Sequence, residues 1–197
     1  TLKELGQLDA AVKSYEQALV IKPDYAEAHY NLGITLQELG QLDAAVKSYE
    51  QALAIKPDYV EAHSNLGNTL KELGQLDAAV KSYEQALAIK PDYAEAHSNL
   101  GNTLKKLGQL DAAVKSYEQA LAIKPDYAEA HSNLGNTLKE LGQLEEAVKS
   151  YEQALTINLD FPKALGNIFF TAKALGVSGT QNTWLDSYKK NLDVAVL

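Results

Sequence analysis

Residues 60–93 and 94–127 are two 34-residue blocks that differ at only two positions, Val60 against Ala94 and Glu72 against Lys106. The blocks at 26–59 and 128–161 carry the same text with light drift. A copied unit of this length is one helix–turn–helix, too small to bury its own apolar face, and it makes a core only when neighbours stack on it. The chain therefore reads as an all-α solenoid of stacked helix pairs. Such a fold spends its length on an extended surface rather than on one enclosed active site.

The segment 92–127 shows how a block makes two helices. Pro91 cannot continue the preceding helix, and Asp92 with Glu95 three residues later has the spacing of an N-terminal capping box. The spacing predicts a first helix from Tyr93 to Leu107, in which His97, Leu100, Leu104 and Leu107 share one face. Gly108 follows as a C-terminal cap residue able to take a left-handed conformation. A second helix carries Leu110, Ala113, Val114, Tyr117, Ala120 and Leu121 on its inner stripe and ends near Ile123, ahead of Pro125. Gly101, Ala113 and Ala120 suit places where two helices approach closely. The short turn makes the pair antiparallel.

In this frame His97, Leu100, Gly101, Leu104, Ala113, Tyr117 and Pro125 stand at the spacing of the tetratricopeptide pattern W-x2-L-G-x2-Y…A-x3-F…P. The chain is identified as resembling the tetratricopeptide repeat family, with His in place of Trp and Leu in place of Tyr. The resemblance implies a right-handed superhelix of antiparallel pairs: an N-terminal half repeat at 1–25, full repeats at 26–59, 60–93, 94–127 and 128–161, and a diverged capping repeat at 162–197. The repeat text also resembles the arrays ahead of glycosyltransferases such as O-linked N-acetylglucosamine transferase. Thr1 aligns with Thr35 and Thr69, inside a helix, so the chain is expected to begin mid-repeat and to be a fragment. The second helix of the half repeat, Leu8–Ile21, is expected to leave Val12, Tyr15 and Leu19 open on one side. At the other end, residues 186–192 echo 149–155 at an offset of 37, which places three inserted residues in the Gly176–Asn182 turn. That segment, with Phe169, Phe170 and Trp184, reads as a cap on the stack, with a free-standing appendage as the alternative.

Two rows of asparagine follow the period. Asn31, Asn65, Asn99, Asn133 and Asn167 form one, and Asn68, Asn102 and Asn136 the other. On a helical wheel Asn99 and Asn102 lie opposite Leu100, Leu104 and Leu107, alongside Glu95, Ser98 and Lys105. The resemblance implies that first helices line a concave groove, so these amides would form a ladder that holds an extended peptide. A primary amide donates and accepts, as a peptide backbone requires. The bland alternative is a copied consensus that merely solvates a helix face.

The other constellations resolve toward structure. His29, His63, His97 and His131 sit one repeat apart, about 10 Å if each repeat adds one helix-pair thickness, too far to share a zinc. They stand where the family carries a packing Trp. Glu27, Glu61, Glu95 and Glu129 are either groove acids or the returning member of capping boxes with Asp24, Asp58, Asp92 and Asp126. No nucleophile–base grouping or phosphate-binding glycine loop is present, so neither catalysis nor a cofactor is expected. Cochaperones of this family grip chaperone carboxylates through lysines and an arginine on the first helices. Here Glu61, Glu95 and Glu129 occupy those places and the chain has no arginine, which argues against that ligand.

Composition narrows the partners. The net charge is −8, from 26 acids against 18 bases, and every base is lysine. The acidic balance repels nucleic acid and anionic membrane, and the missing guanidinium removes bidentate phosphate recognition. There is no apolar run long enough to span a bilayer, and the absence of cysteine leaves the redox compartment undecided. The sequence thus points to a non-catalytic scaffold that binds a protein or peptide segment. Two alternatives stand beside it: the substrate-recruiting module of a larger glycosyltransferase-type enzyme, and an array that self-associates through its open N-terminal half repeat.

Overall fold

The computed structural model describes residues 2–158 and 162–174, and these contain ten helices and no strand. They fall into two compact units, Thr1–Leu107 and Gly108–Leu197. The first holds α1 (Leu2–Ile21), α2 (Ala26–Glu38), α3 (Leu42–Ile55), α4 (Val60–Glu72), α5 (Leu76–Ile89) and α6 (Ala94–Lys106). In it α2 pairs with α3 and α4 with α5, the pairs are joined through α3 on α4 and α5 on α6, and α1 lies on α2. The first helices also touch directly, α2 with α4 and α4 with α6. The second unit holds α7 (Leu110–Ile123), α8 (Ala128–Glu140), α9 (Leu144–Ile157) and α10 (Pro162–Ala174). There α7 lies on α8, α8 pairs with α9, and α9 packs on α10.

The second helix of each block, written LDAAVKSYEQALAI in α3, α5 and α7, buries residues three or four apart. In α5 these are Ala79, Ser82, Tyr83 and Ala86. Small alanines on that stripe let the neighbouring helix come close, and the one large side chain, the tyrosine, fills the space they leave. Tyr49, Tyr83, Tyr117 and Tyr151 are all 0% exposed. Each of three first-helix glycines explains why its block can hold such a ring. A Cβ added at Gly33, Gly67 or Gly135 would lie 2.7 Å from the Cε1 of Tyr49, Tyr83 or Tyr151 respectively.

The turn inside a block is set by Gly40, Gly74, Gly108 and Gly142, at φ of 73° to 78°. At α4 the Gln75 N–H donates to Leu70 O and the Gly74 N–H to Lys71 O, a Schellman closure that a residue with a Cβ would strain. The turn between blocks uses Lys-Pro-Asp-Tyr, with the Tyr59 N–H donating to Lys56 O at 3.2 Å. Proline fits the second position of such a turn.

Several sequence expectations need correction. The aspartates of that turn do not cap the next helix. The residues at the N-cap are Tyr25, Tyr59, Tyr93 and Tyr127, with no side-chain cap bond. The β-turn holds Asp one residue too early, so the Asp–Glu capping boxes do not form. Glu27, Glu61, Glu95 and Glu129 instead stand exposed in the first turn, where the helix dipole favours an acid. The histidines are not simple filler: each Nε2 lies 2.9 to 3.0 Å from the carbonyl oxygen of the proline six residues earlier. A carbonyl only accepts, so Nε2 carries the proton there and the ring ties the first helix to the preceding turn.

Of the predicted inner face, Leu100 and Leu104 are buried while His97 and Leu107 are only half-buried. Ser98, grouped with the polar face on the wheel, is 2% exposed. At the start of the chain, α1 runs unbroken through Gly6, the counterpart of the turn glycines. Val12, Tyr15 and Leu19 are half-buried, and Val20 and Ile21 are 83% and 85% exposed.

The segment after the last full block forms α10, with Ala164, Ile168 and Thr171 buried and Phe170 exposed. Its expected partner near 186–192, the Gly176–Asn182 turn and Trp184 lie outside the described residues.

Candidate functional site: the amide face of the first helices

Both asparagine rows lie on the first helices and all eight members are half-buried: Asn31, Asn65, Asn68, Asn99 and Asn102 in the first unit, and Asn133, Asn136 and Asn167 in the second. Asn65, Asn68, Asn99, Asn136 and Asn167 do not project freely into solvent, because the same or the adjacent repeat supplies partners that a single-helix wheel cannot show. Tyr83 Oη donates to Asn68 Oδ1 at 2.7 Å, and Tyr151 Oη to Asn136 Oδ1 at 2.9 Å. Asn68 and Asn136 thus each receive the hydroxyl of the buried tyrosine of their own block. Asn136 Oδ1 further accepts from Asn167 Nδ2 at 2.7 Å, which brings the second row of one repeat against the first row of the next.

The same seam recurs with other residues. Lys71 Nζ donates to Asn99 Oδ1 at 3.3 Å, and Asn65 Nδ2 donates to the Tyr30 hydroxyl at 3.1 Å. Behind the first row, Thr35, Thr69, Thr103, Thr137 and Thr171 each donate a hydroxyl to the backbone carbonyl of the asparagine four residues earlier. The backbone beneath each first-row amide is thereby pinned. These tyrosine and threonine partners were not singled out from the sequence. The recurring fifteen-residue Asn–Tyr separation was the signal available.

The tyrosine hydroxyls stay protonated. Burial, the largest cause, pushes Tyr49, Tyr83 and Tyr117 well above the ordinary phenol value, and lifts Tyr151 to about 12 with help from Glu140. A raised acid favours the protonated folded state, so this stabilisation is complete below the unfolded value near 10 and is lost as pH rises through the folded values. We expect ionisation of the four buried rings to coincide with loss of helix, beginning for Tyr151 between pH 10 and about 12. Parallel titration of phenolate absorbance and far-ultraviolet circular dichroism checks this; helix that survives their ionisation would contradict it.

Chemically, the face offers amide donors and acceptors, lysine ammonium groups and exposed glutamates. Among the described residues no three His, Asp, Glu or Cys side chains gather as for a metal ion. No helix among the described residues is long and apolar enough to cross a membrane.

Models of the TPR repeat match residues 1–40, 35–74, 67–108 and 101–142, and one of the tetratricopeptide repeat matches 128–161. The chain belongs to the tetratricopeptide repeat family. Comparison with curated proteins gives no match. Among solved structures, MamA is similar at 27% identity and a TM-score of 0.76, over 82% of this chain and 94% of that one. YrrB, described as a TPR protein with an unusual peptide-binding site, is similar at 25% identity and a TM-score of 0.73, over 84% and 85% of the two chains. MamA from Desulfovibrio magneticus RS-1 shares the fold at 21% identity and a TM-score of 0.74, over 80% and 89%. These likenesses accord with the tetratricopeptide repeat assignment that the family models give.

Proposed function

We propose that this tetratricopeptide chain is a non-catalytic scaffold that binds an extended peptide segment along the face of its first helices, with the two asparagine rows as the grip. The observation that carries the reading is the seam between rows. Asn99 meets Lys71 at 3.3 Å in the first unit and Asn136 meets Asn167 at 2.7 Å in the second, so within each unit polar groups of successive repeats meet on pinned backbones. An extended chain needs a donor or acceptor at each step and no particular side chain. YrrB, of the same fold, is described as having a peptide-binding site, which favours the same class of ligand here. The net charge of −8 suits a neutral or basic segment and disfavours nucleic acid and anionic membranes.

The test is a triple change, Asn65→Ala with Asn99→Ala and Asn133→Ala, compared with the native protein on an array of extended peptides. Each amide contributes on the order of 0.5–1.5 kcal/mol, so the triple variant should bind about 10²-fold more weakly. Equal capture by both proteins would remove the ladder.

A further inference from the structure

The first complete block differs from its successor at four positions: Ala26 against Val60, Tyr30 against Ser64, Ile34 against Asn68, and Gln37 against Lys71. The last three stand four and three residues apart, on one face of α2, and two of them, Ile34 and Gln37, border one place. A cavity of about 360 Å³ opens there between α2 and α4, lined by Ile34, Gln37, Glu38, Asn65 and Glu72.

Its walls are held. Gln37 Nε2 donates to Glu72 Oε1 at 3.1 Å, and Gln37 Oε1 accepts from Tyr49 Oη at 3.2 Å. Tyr30 lies tilted against Tyr59 with ring centroids 4.7 Å apart and accepts from Asn65 Nδ2 at 3.1 Å, which holds that lining amide.

The charge of the pocket follows from the same substitutions. Later blocks carry Lys71, Lys105 and Lys139 where this one has Gln37, so the positive charge of the consensus is missing while the acids remain. Glu38 is exposed and makes no hydrogen bond or ion pair among the described residues. Glu38 and Glu72 both line the cavity, and their negative field adds to burial in raising the nearby Tyr49 phenol. Ile34, in place of an asparagine, supplies an apolar wall.

We infer that this pocket receives a lysine or arginine side chain of the bound segment, its methylene stem against Ile34 and its cationic head between Glu38 and Glu72. The inference rests on the peptide reading of the first-helix face and adds what that reading lacks, a residue preference at one defined repeat. A long cationic side chain is the one natural side-chain type that pairs an aliphatic stem with a positive head, which matches this lining.

The probes are acetyl-Thr-Val-Thr-Lys-Thr-Val-Thr-amide and its norleucine and glutamate counterparts, whose β-branched residues favour extended chain. NMR titration reads binding at the Ile34 methyl and at the Gln37 and Asn65 side-chain amides. The lysine peptide should bind roughly fivefold more tightly than the norleucine peptide, the glutamate peptide weakest, and the preference should shrink at high salt. The double variant Ile34→Asn with Gln37→Lys restores residues that the next block already accommodates, and it should abolish the preference.

A second variant, Asn99→Ala with Asn133→Ala, leaves the pocket intact and should weaken all three peptides alike. Equal binding of the lysine and norleucine peptides, still weakened by the Asn99/Asn133 change, overturns the pocket and leaves the peptide reading standing. Absence of binding by every peptide overturns both.

Discussion

Tyr83→Ala is expected to lower the unfolding free energy by about 3–5 kcal/mol, the range for emptying a buried aromatic site. Tyr83 is 0% exposed, its ring lies on Gly67, and its hydroxyl is 2.7 Å from Asn68 Oδ1. Truncation leaves a ring-sized void that α4 cannot collapse into without moving its backbone. It also deprives Asn68 of a partner. Tyr83→Phe separates the two contributions: it keeps the ring and should cost only about 0.5–1.5 kcal/mol for the hydrogen bond. Urea denaturation of both variants, fitted with a nearest-neighbour model suited to stacked repeats, gives the comparison. An Ala variant no less stable than the Phe variant would sink the packing argument.

Leu66→Ala should cost about 2–5 kcal/mol, and Leu73→Ala clearly less. Both are leucines of the α4 region, but Leu66 is buried within the block whereas Leu73 sits half-buried at the helix end. The contrast tests which side of the first helix carries the core, because a simple wheel gives the counterparts Leu100 and Leu107 equal standing. Matching denaturation midpoints for the two variants would show that the stripe continues to the turn.

Most of the fold was legible because the period repeats every local signal. The glycine at each turn, the tyrosine of each second helix and the leucines of each first helix recur in register, and each is found in the place its chemistry requires. What escaped was whatever depends on a neighbour. Asp92 has the letter pattern of a cap, yet the turn that contains it competes for the same backbone and wins. His97 stands at the family's Trp position but reaches a carbonyl in the preceding turn. Asn68 and Asn136 look solvated on a lone helix and are engaged by a tyrosine from the next one. Tyr30, Ile34 and Gln37 read as scattered drift, although their spacing already placed them on one helical face. Periodicity within a helix says which residues share a side. It does not say what the next repeat brings to that side.

The division of labour between tyrosine and amide has a consequence for how such a chain changes length. The tyrosine of a block rests on the glycine of the same block, as Tyr83 does on Gly67, whereas polar groups cross to the next block, as Lys71 does to Asn99 and Asn136 to Asn167. The fit of ring on glycine closes each helix pair, and helix packing with hydrogen bonding joins it to any unit that presents the same edge. A slipped copy of one whole period in the coding text would therefore insert like a tile among identical tiles, matched above and below with no compensating change. Blocks 60–93 and 94–127, two letters apart, are what such an event leaves behind.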